Sequence, residues 1–218
     1  NTCMIAIMAA NNESGIRNDI KTIGHIAQKR NAPIPFFTDA VQIFGKEPVD
    51  PLTNNITAFS GSFHKLHGPT GTGVAVVRND FLEGYDLRPL IPGHQNNELR
   101  GGTECIHNIA AARASYLMSF DNRDAKNAQQ LELKKYMLKK LAKFYPVLNI
   151  ETYKLTKAYN QNLPEKYLVL IANLDVTKVM NNTIFISVVY PNVCNVEIRR
   201  ELASRQIYVS IGSACKTG

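Results

Sequence analysis

Short apolar runs, each closed by polar residues, constrain this chain more than any other feature. "CMIAIMAA" (3–10), "PIPFFTDA" (33–40), "NITAFSGS" (55–62) and "GVAVVRND" (73–80) are each strand-sized. Between the first two, "DIKTIGHIAQKRN" repeats Ile20, Ile23, Ile26 and Ala27 at helical spacing. Short buried strands alternating with a helix predict an α/β layer whose sheet is covered. A glycine- and asparagine-rich stretch, 83–106, reads as an extended loop, and "HNIAAARASYLMSF" restores a helix. "DNRD" at 121–124 marks a boundary, which divides the chain into 1–122 and 123–218. The second part holds a lysine-rich helix, strands in "KYLVLIANL" and "NTIFISVVY", and a helix in "NVEIRRELASRQ". It reads as a smaller α+β domain.

The polar residues that close the first three runs carry the chemistry: Asn11 and Asn12, then Asp39 and Gln42, then Ser62, His64 and Lys65. Ligands of open α/β sheets bind just beyond the carboxyl ends of the strands. If these strands are neighbours, an amide, a carboxylate and a lysine converge on one crevice. The competing reading is ordinary turn chemistry, since Asn, Asp and Ser are turn formers. "SFHKLHGPTGTGVAVV" sharpens the question, because Gly68 and Gly73 have the glycine spacing of a phosphate-binding P-loop. Val74 and Ala75 then stand where the lysine and hydroxyl of that motif belong, and the nearby lysine, Lys65, precedes the loop.

The 218 residues are 44% hydrophobic and 20% charged, which suits a globular chain with a sizeable core. The apolar runs fall short of the ~18 residues of a membrane-spanning helix. The formal charge of +7 permits a polyanionic partner without requiring one. Much of it lies in "ELKKYMLKKLAKF", where Leu133, Met137, Leu141 and Phe144 recur at helical spacing with lysines between them. That pattern predicts an amphipathic helix with a solvated basic face. Aromatic residues do not alternate with the basic ones as stacking platforms, so a nucleic-acid partner is not expected, and the short apolar runs give no reason to expect a membrane partner. The four cysteines form no C-x-x-C pair, which argues against structural zinc and a disulfide scaffold. No metal site is expected, and a reducing compartment is, cytoplasm or organelle matrix. Cys3, Cys105 and Cys194 read as packing residues, whereas Cys215 sits among Gly212, Ser213 and Ala214 beside Lys216. Small neighbours suit a mobile loop, and the lysine favours a thiolate.

"ANNESG", "TDAVQIFGKEPVD", "SFHKLHGPTGTG", "LRGGTE" and "VSIGSAC" occur in the order seen in the cysteine desulfurases, from Asn11 to the last residues. In these blocks the chain resembles that family, part of the class V aminotransferase group of pyridoxal 5'-phosphate (PLP) enzymes. The resemblance implies a fold type I PLP-dependent transferase. Residues 1–122 would be the C-terminal part of its large, mainly parallel-sheet PLP-binding domain. Residues 123–218 would be an incomplete small C-terminal α+β domain. Family members extend past both ends of the chain, which itself starts in mid-pattern, and so truncation at both ends is expected.

The resemblance also implies roles. Lys65 would form the Schiff base with the cofactor aldehyde, and Asp39 would pair with the pyridinium nitrogen. Gln42 matches the partner of the ring hydroxyl, Asn12 the amide near cofactor and substrate carboxylate, and Asn11 its structural neighbour. Ser62 and His64 match phosphate ligands, with His64 also counted in the catalytic set beside Lys65 and Cys215. Thr103 resembles the residue that crosses a homodimer interface to the other subunit's cofactor phosphate. Cys215 matches the nucleophile that takes sulfur from L-cysteine, leaving alanine and a persulfide. "GPTGTG" then supplies tight turns after the lysine, and the P-loop reading fails.

The chain departs from the family at Thr70, usually lysine, and at Gly101, usually serine. It reads Gln95, Asn96, Asn97, Glu98 where the family has Gln-Glu-Arg-Gly. His25, His67, His94 and His107 match no family role and read as structural or surface residues. The expected function is PLP-dependent cysteine desulfuration, with a sulfur-acceptor or iron–sulfur scaffold protein as partner. The alternatives are a selenocysteine lyase or another lyase on the same scaffold, and a degenerate, non-catalytic scaffold subunit.

Overall fold

The computed structural model describes residues 2–149, 154, 157, 163, 165–170 and 178–212. They fall into two compact units, one of residues 1–10 and 18–123, the other of residues 11–17 and 124–218.

In the first unit β1 (Ile5–Ala6), β2 (Phe36–Asp39), β3 (Ala58–Ser62) and β4 (Gly73–Val77) form one sheet in that order. β1, β2 and β3 run parallel, and β4 lies antiparallel to β3. The β1–β2 crossover is helix α1 (Ile20–Gln28). Asp19 starts it as N-cap, its side chain accepting from the Thr22 N–H at 3.0 Å. Gly24 and Ala27 are its buried residues. A glycine in mid-helix costs stability, and here a Cβ would run into the Asn54 carbonyl. The helix therefore lies flush on the β2–β3 connection, residues 40–57, which is built of turns. Of the sequence-predicted helical positions, Ile26 faces outward, 60% exposed. Beyond β4 come a short helix α2 (Asn79–Gly84), which the sequence reading passed over, and α3 (Ile106–Asp121).

An aromatic cluster forms the core next to the end of β3. The Phe44 ring meets Phe63 edge-on at 5.6 Å between centroids, Tyr116 of α3 at 5.3 Å and Phe59 at 6.3 Å. Gly61 is what lets Phe44 approach β3, since a Cβ there would sit 2.7 Å from the ring.

The second unit holds most of α4 (Arg123–Leu141) and a sheet ordered β5 (Val147–Asn149), β6 (Tyr167–Leu170), β7 (Ile186–Val189). β5 is parallel and β7 antiparallel to β6. Every residue of β6 is buried, as its unbroken apolar run "YLVL" requires of a strand covered on both faces. Helix α5 (Asn195–Ser204) begins with a capping box between Cys194 and Glu197.

Two expectations are corrected. Of the periodic apolar residues, Leu133 and Met137 face out from α4 at 59% and 42% exposure, Leu141 is half-buried, and Phe144, 76% exposed, lies past the helix end. The buried residues are Lys134 and Leu138. Lys134 is accommodated on that face by a backbone acceptor, the Met180 carbonyl at 3.0 Å. Cys3, Cys105 and Cys194 are exposed rather than packed. Each stands at or beyond the end of a regular element, where the core does not reach. Among the described residues no helix is long and apolar enough to cross a membrane.

Candidate functional site

Asp39 is the last residue of β2 and stands opposite Ser60 of β3 in the parallel register. Its Oδ1 accepts from the Val41 N–H at 2.9 Å, which fixes the carboxylate as the chain turns away. The turn closes with the Ile43 and Phe44 N–H groups donating to the Ala40 carbonyl, and it carries Gln42, half-buried.

β3 ends at Ser62 and passes directly into a single 3-10 turn, Phe63–Leu66, which holds His64 and Lys65. The Ser62 hydroxyl and His64 Nδ1 lie 2.6 Å apart. Phe63 and Leu66 face the core while His64 and Lys65 are exposed, the division that a tight turn at the end of a strand imposes. His67 closes the turn at φ 63°, its N–H donating to the Phe63 carbonyl. Gly68 packs so tightly on α3 that a Cβ would lie 2.5 Å from Ser115 Oγ. Gly71, at φ 75°, makes the reversal into β4. Gly73 then pairs with Ser62 in the antiparallel ladder. A P-loop leads into a helix, and this one leads into a strand.

Lys46 escaped the sequence reading. Burial, and then the nearby positive charge of Lys65, push its amine below the ordinary lysine range. Nothing in the local pattern announces this proximity. It follows from Gly45, where a Cβ would meet the Leu66 side chain at 2.6 Å, so that the turn after β2 presses on the turn after β3.

Thr103 is exposed, beyond a loop drawn closed where the Gly101 N–H donates to the Ile91 carbonyl at 2.7 Å. Asn96, Asn97 and Glu98 all have left-handed backbones in that loop, with φ of 50°, 53° and 63°. In the second unit Asn12 is exposed, whereas Asn11 is a turn-former. The Asn11 Oδ1 accepts from Glu13 N–H, Ser14 N–H and Ser14 Oγ at 2.9–3.1 Å. Cys215 lies outside the described residues.

The structure thus brings Asp39, Ser62, His64 and Lys65 to the carboxyl ends of neighbouring parallel strands. A primary amine, a carboxylate and a hydroxyl–imidazole pair suit an aldehyde, a ring nitrogen and a phosphate, which is the donor set PLP requires. The fold agrees, for it is that of the fold type I PLP-dependent enzymes. A solved structure titled "NIFS-LIKE PROTEIN" superposes with a TM-score of 0.75 at 27% identity, over 96% of this chain and 49% of that one. Another, "SspA in complex with cysteine", is 39% identical with a TM-score of 0.50, over 54% of this chain and 33% of that one. The putative cysteine desulfurase IscS 1 of Bacillus subtilis (strain 168) is 36% identical over 134 residues, 61% of this chain and 34% of the relative. The aminotransferase class-V family model matches residues 1–217. The chain belongs to the class-V aminotransferases, a PLP-dependent family, and the relatives it resembles include proteins named cysteine desulfurase. It spans about a third of the length of the curated relative from Bacillus subtilis.

Proposed function

We propose that the whole protein is a PLP-dependent cysteine desulfurase that converts L-cysteine to L-alanine and leaves a persulfide on Cys215. The observation that carries this reading is the Ser62–His64–Lys65 turn at the end of β3 beside Asp39 at the end of β2. Residues 1–122 serve as the C-terminal part of the cofactor-binding domain, and 123–218 as part of a small C-terminal domain.

In this reading Lys65 holds the cofactor covalently, Asp39 its ring nitrogen, Gln42 its ring hydroxyl, and Ser62 and His64 its phosphate. Asn12 serves the cofactor and the substrate carboxylate. The bound cofactor supplies an electron sink that makes the substrate's C–S bond labile. Asp39 keeps a fixed negative charge at the ring nitrogen, held in place by the Val41 N–H. His64, with Nδ1 engaged by Ser62, keeps its other nitrogen for proton transfer. The Cys215 thiol takes up the substrate sulfur as the C–S bond breaks, so that cysteine and thiol become alanine and persulfide. A homodimer in which Thr103 reaches the second copy's cofactor phosphate, and an acceptor protein of the iron–sulfur scaffold type, complete the proposal. The compartment is a reducing one, in keeping with four cysteines that form no C-x-x-C pair and no disulfide framework in the sequence.

Mass spectrometry after cysteine treatment tests it. One added sulfur on the Cys215 peptide, with alanine released and both lost in Cys215→Ser, is the expected result. Turnover at the parent rate in Cys215→Ser would replace desulfuration by a direct lyase. Cofactor binding without turnover in either protein would leave a scaffold subunit.

A further inference from the structure

Lys134 is 5% exposed, which is an expensive place for an ammonium group. Its Nζ donates to the Met180 carbonyl at 3.0 Å, and Arg17 lies near enough to add to the cost. A position that served packing alone would favour an apolar side chain of the same length.

The carbonyl it holds belongs to the segment 178–183, which runs beside 11–17. The Arg17 N–H donates to the Lys178 carbonyl at 2.7 Å, and the Met180 N–H donates to the Gly15 carbonyl at 2.8 Å. Ile16 and Val179 bridge antiparallel between them. Gly15, at φ 72°, allows the approach, because a Cβ there would stand 2.7 Å from Thr183 Cβ. A second tie runs to the same face of α4, where Asn181 Nδ2 donates to the Asn127 carbonyl at 3.2 Å. α4 therefore grips 178–183 at two points, and 178–183 carries the turn in which Asn11 is locked and Asn12 stands exposed.

We infer that Lys134 is a positioning residue for Asn12, fixing through Met180 and Gly15 the turn from which Asn12 meets its ligand. This rests on the reading that Asn12 serves the cofactor and substrate carboxylate.

The test takes the full-length protein and measures the dissociation constant of PLP and the KM for L-cysteine. It compares Asn12→Ala, Lys134→Met and the double variant. Losing one hydrogen bond to a charged group should raise one of the two constants about tenfold in Asn12→Ala. Lys134→Met should raise the same constant, about fivefold, and add little in the Asn12→Ala background, as coupled residues do. Lys134→Arg, which keeps a long cationic donor, should restore it. A folded Lys134→Met with both constants unchanged, or effects that multiply in the double variant, would overturn the inference while leaving the role of Asn12 intact. Unchanged constants in Asn12→Ala would overturn that role and the inference with it. Should Lys134→Met fail to fold, Asn181→Ala cuts the other tie and enters the same cycle with the same outcomes.

Discussion

Asp39 and Ser60 are register partners across the parallel strands β2 and β3. The chain therefore leaves both strands at the same carboxyl end of the sheet, which brings the carboxylate and the Ser62–Lys65 turn to the same side. On the proposed function, Lys65 is expected to be the amine to which PLP attaches. Borohydride reduction of the PLP-treated protein should fix the cofactor onto the Lys65 peptide. Lys65→Ala should show no such adduct. Labelling of Lys46 in the parent protein would overturn the assignment.

Asp39→Asn keeps an oxygen for the Val41 N–H but loses the charge. Cysteine turnover should fall about a hundredfold, the usual scale for removing a preorganised electrostatic contact. Stability should change by less than about 1 kcal/mol. Parallel loss of both, in kinetics and thermal unfolding, would make Asp39 a structural residue.

Asp19 caps α1, and the backbone Thr22 N–H, then the Thr22 side chain, hold its carboxyl below the ordinary aspartate range. Asp19→Ala should cost about 1 kcal/mol at neutral pH. Because the folded-state pKa is the lower one, this contribution is present above pH ~4 and is lost as pH falls through the folded value. Urea titrations of both proteins should therefore differ at pH 7 and converge in acid.

Glu98 stands at φ 63°, where glycine is unstrained, and its contact with His94 at 3.6 Å is exposed. A left-handed non-glycine residue costs about 1–2 kcal/mol. Part of that returns as backbone entropy when glycine is substituted. Glu98→Gly should accordingly stabilise the protein by about 0.5–1 kcal/mol. A lower midpoint in chemical denaturation would show that Glu98 makes a contact worth more than its strain.

Local pattern was enough to read β2, β3, β4, α1, α3 and α5, because each combines a period with a clear stop. It misread α4. The spacing of Leu133, Met137 and Phe144 is helical, but periodicity cannot say which face is covered. The covered face carries Leu138 and Lys134, and the acceptor of Lys134, the Met180 carbonyl, lies forty-six residues away. The site divides the same way. Ser62, His64 and Lys65 lie together in sequence and could be read as a unit. The proximity of Lys46 to Lys65 depends on Gly45 meeting Leu66 across two turns, a long-range fact without a local signature.

The backbone under Lys65 is held on every side: Phe63 donates to Thr72, Gly68 to Phe63, and Leu66 is buried against Gly45. The peptide there has little freedom to follow a ligand that shifts. Adjustment falls to the lysine's own methylene chain, which acts as a swinging tether on a fixed post. How far the amine can travel is then set by the length of that side chain, and shortening it by one carbon would remove reach that loop motion has no means to restore.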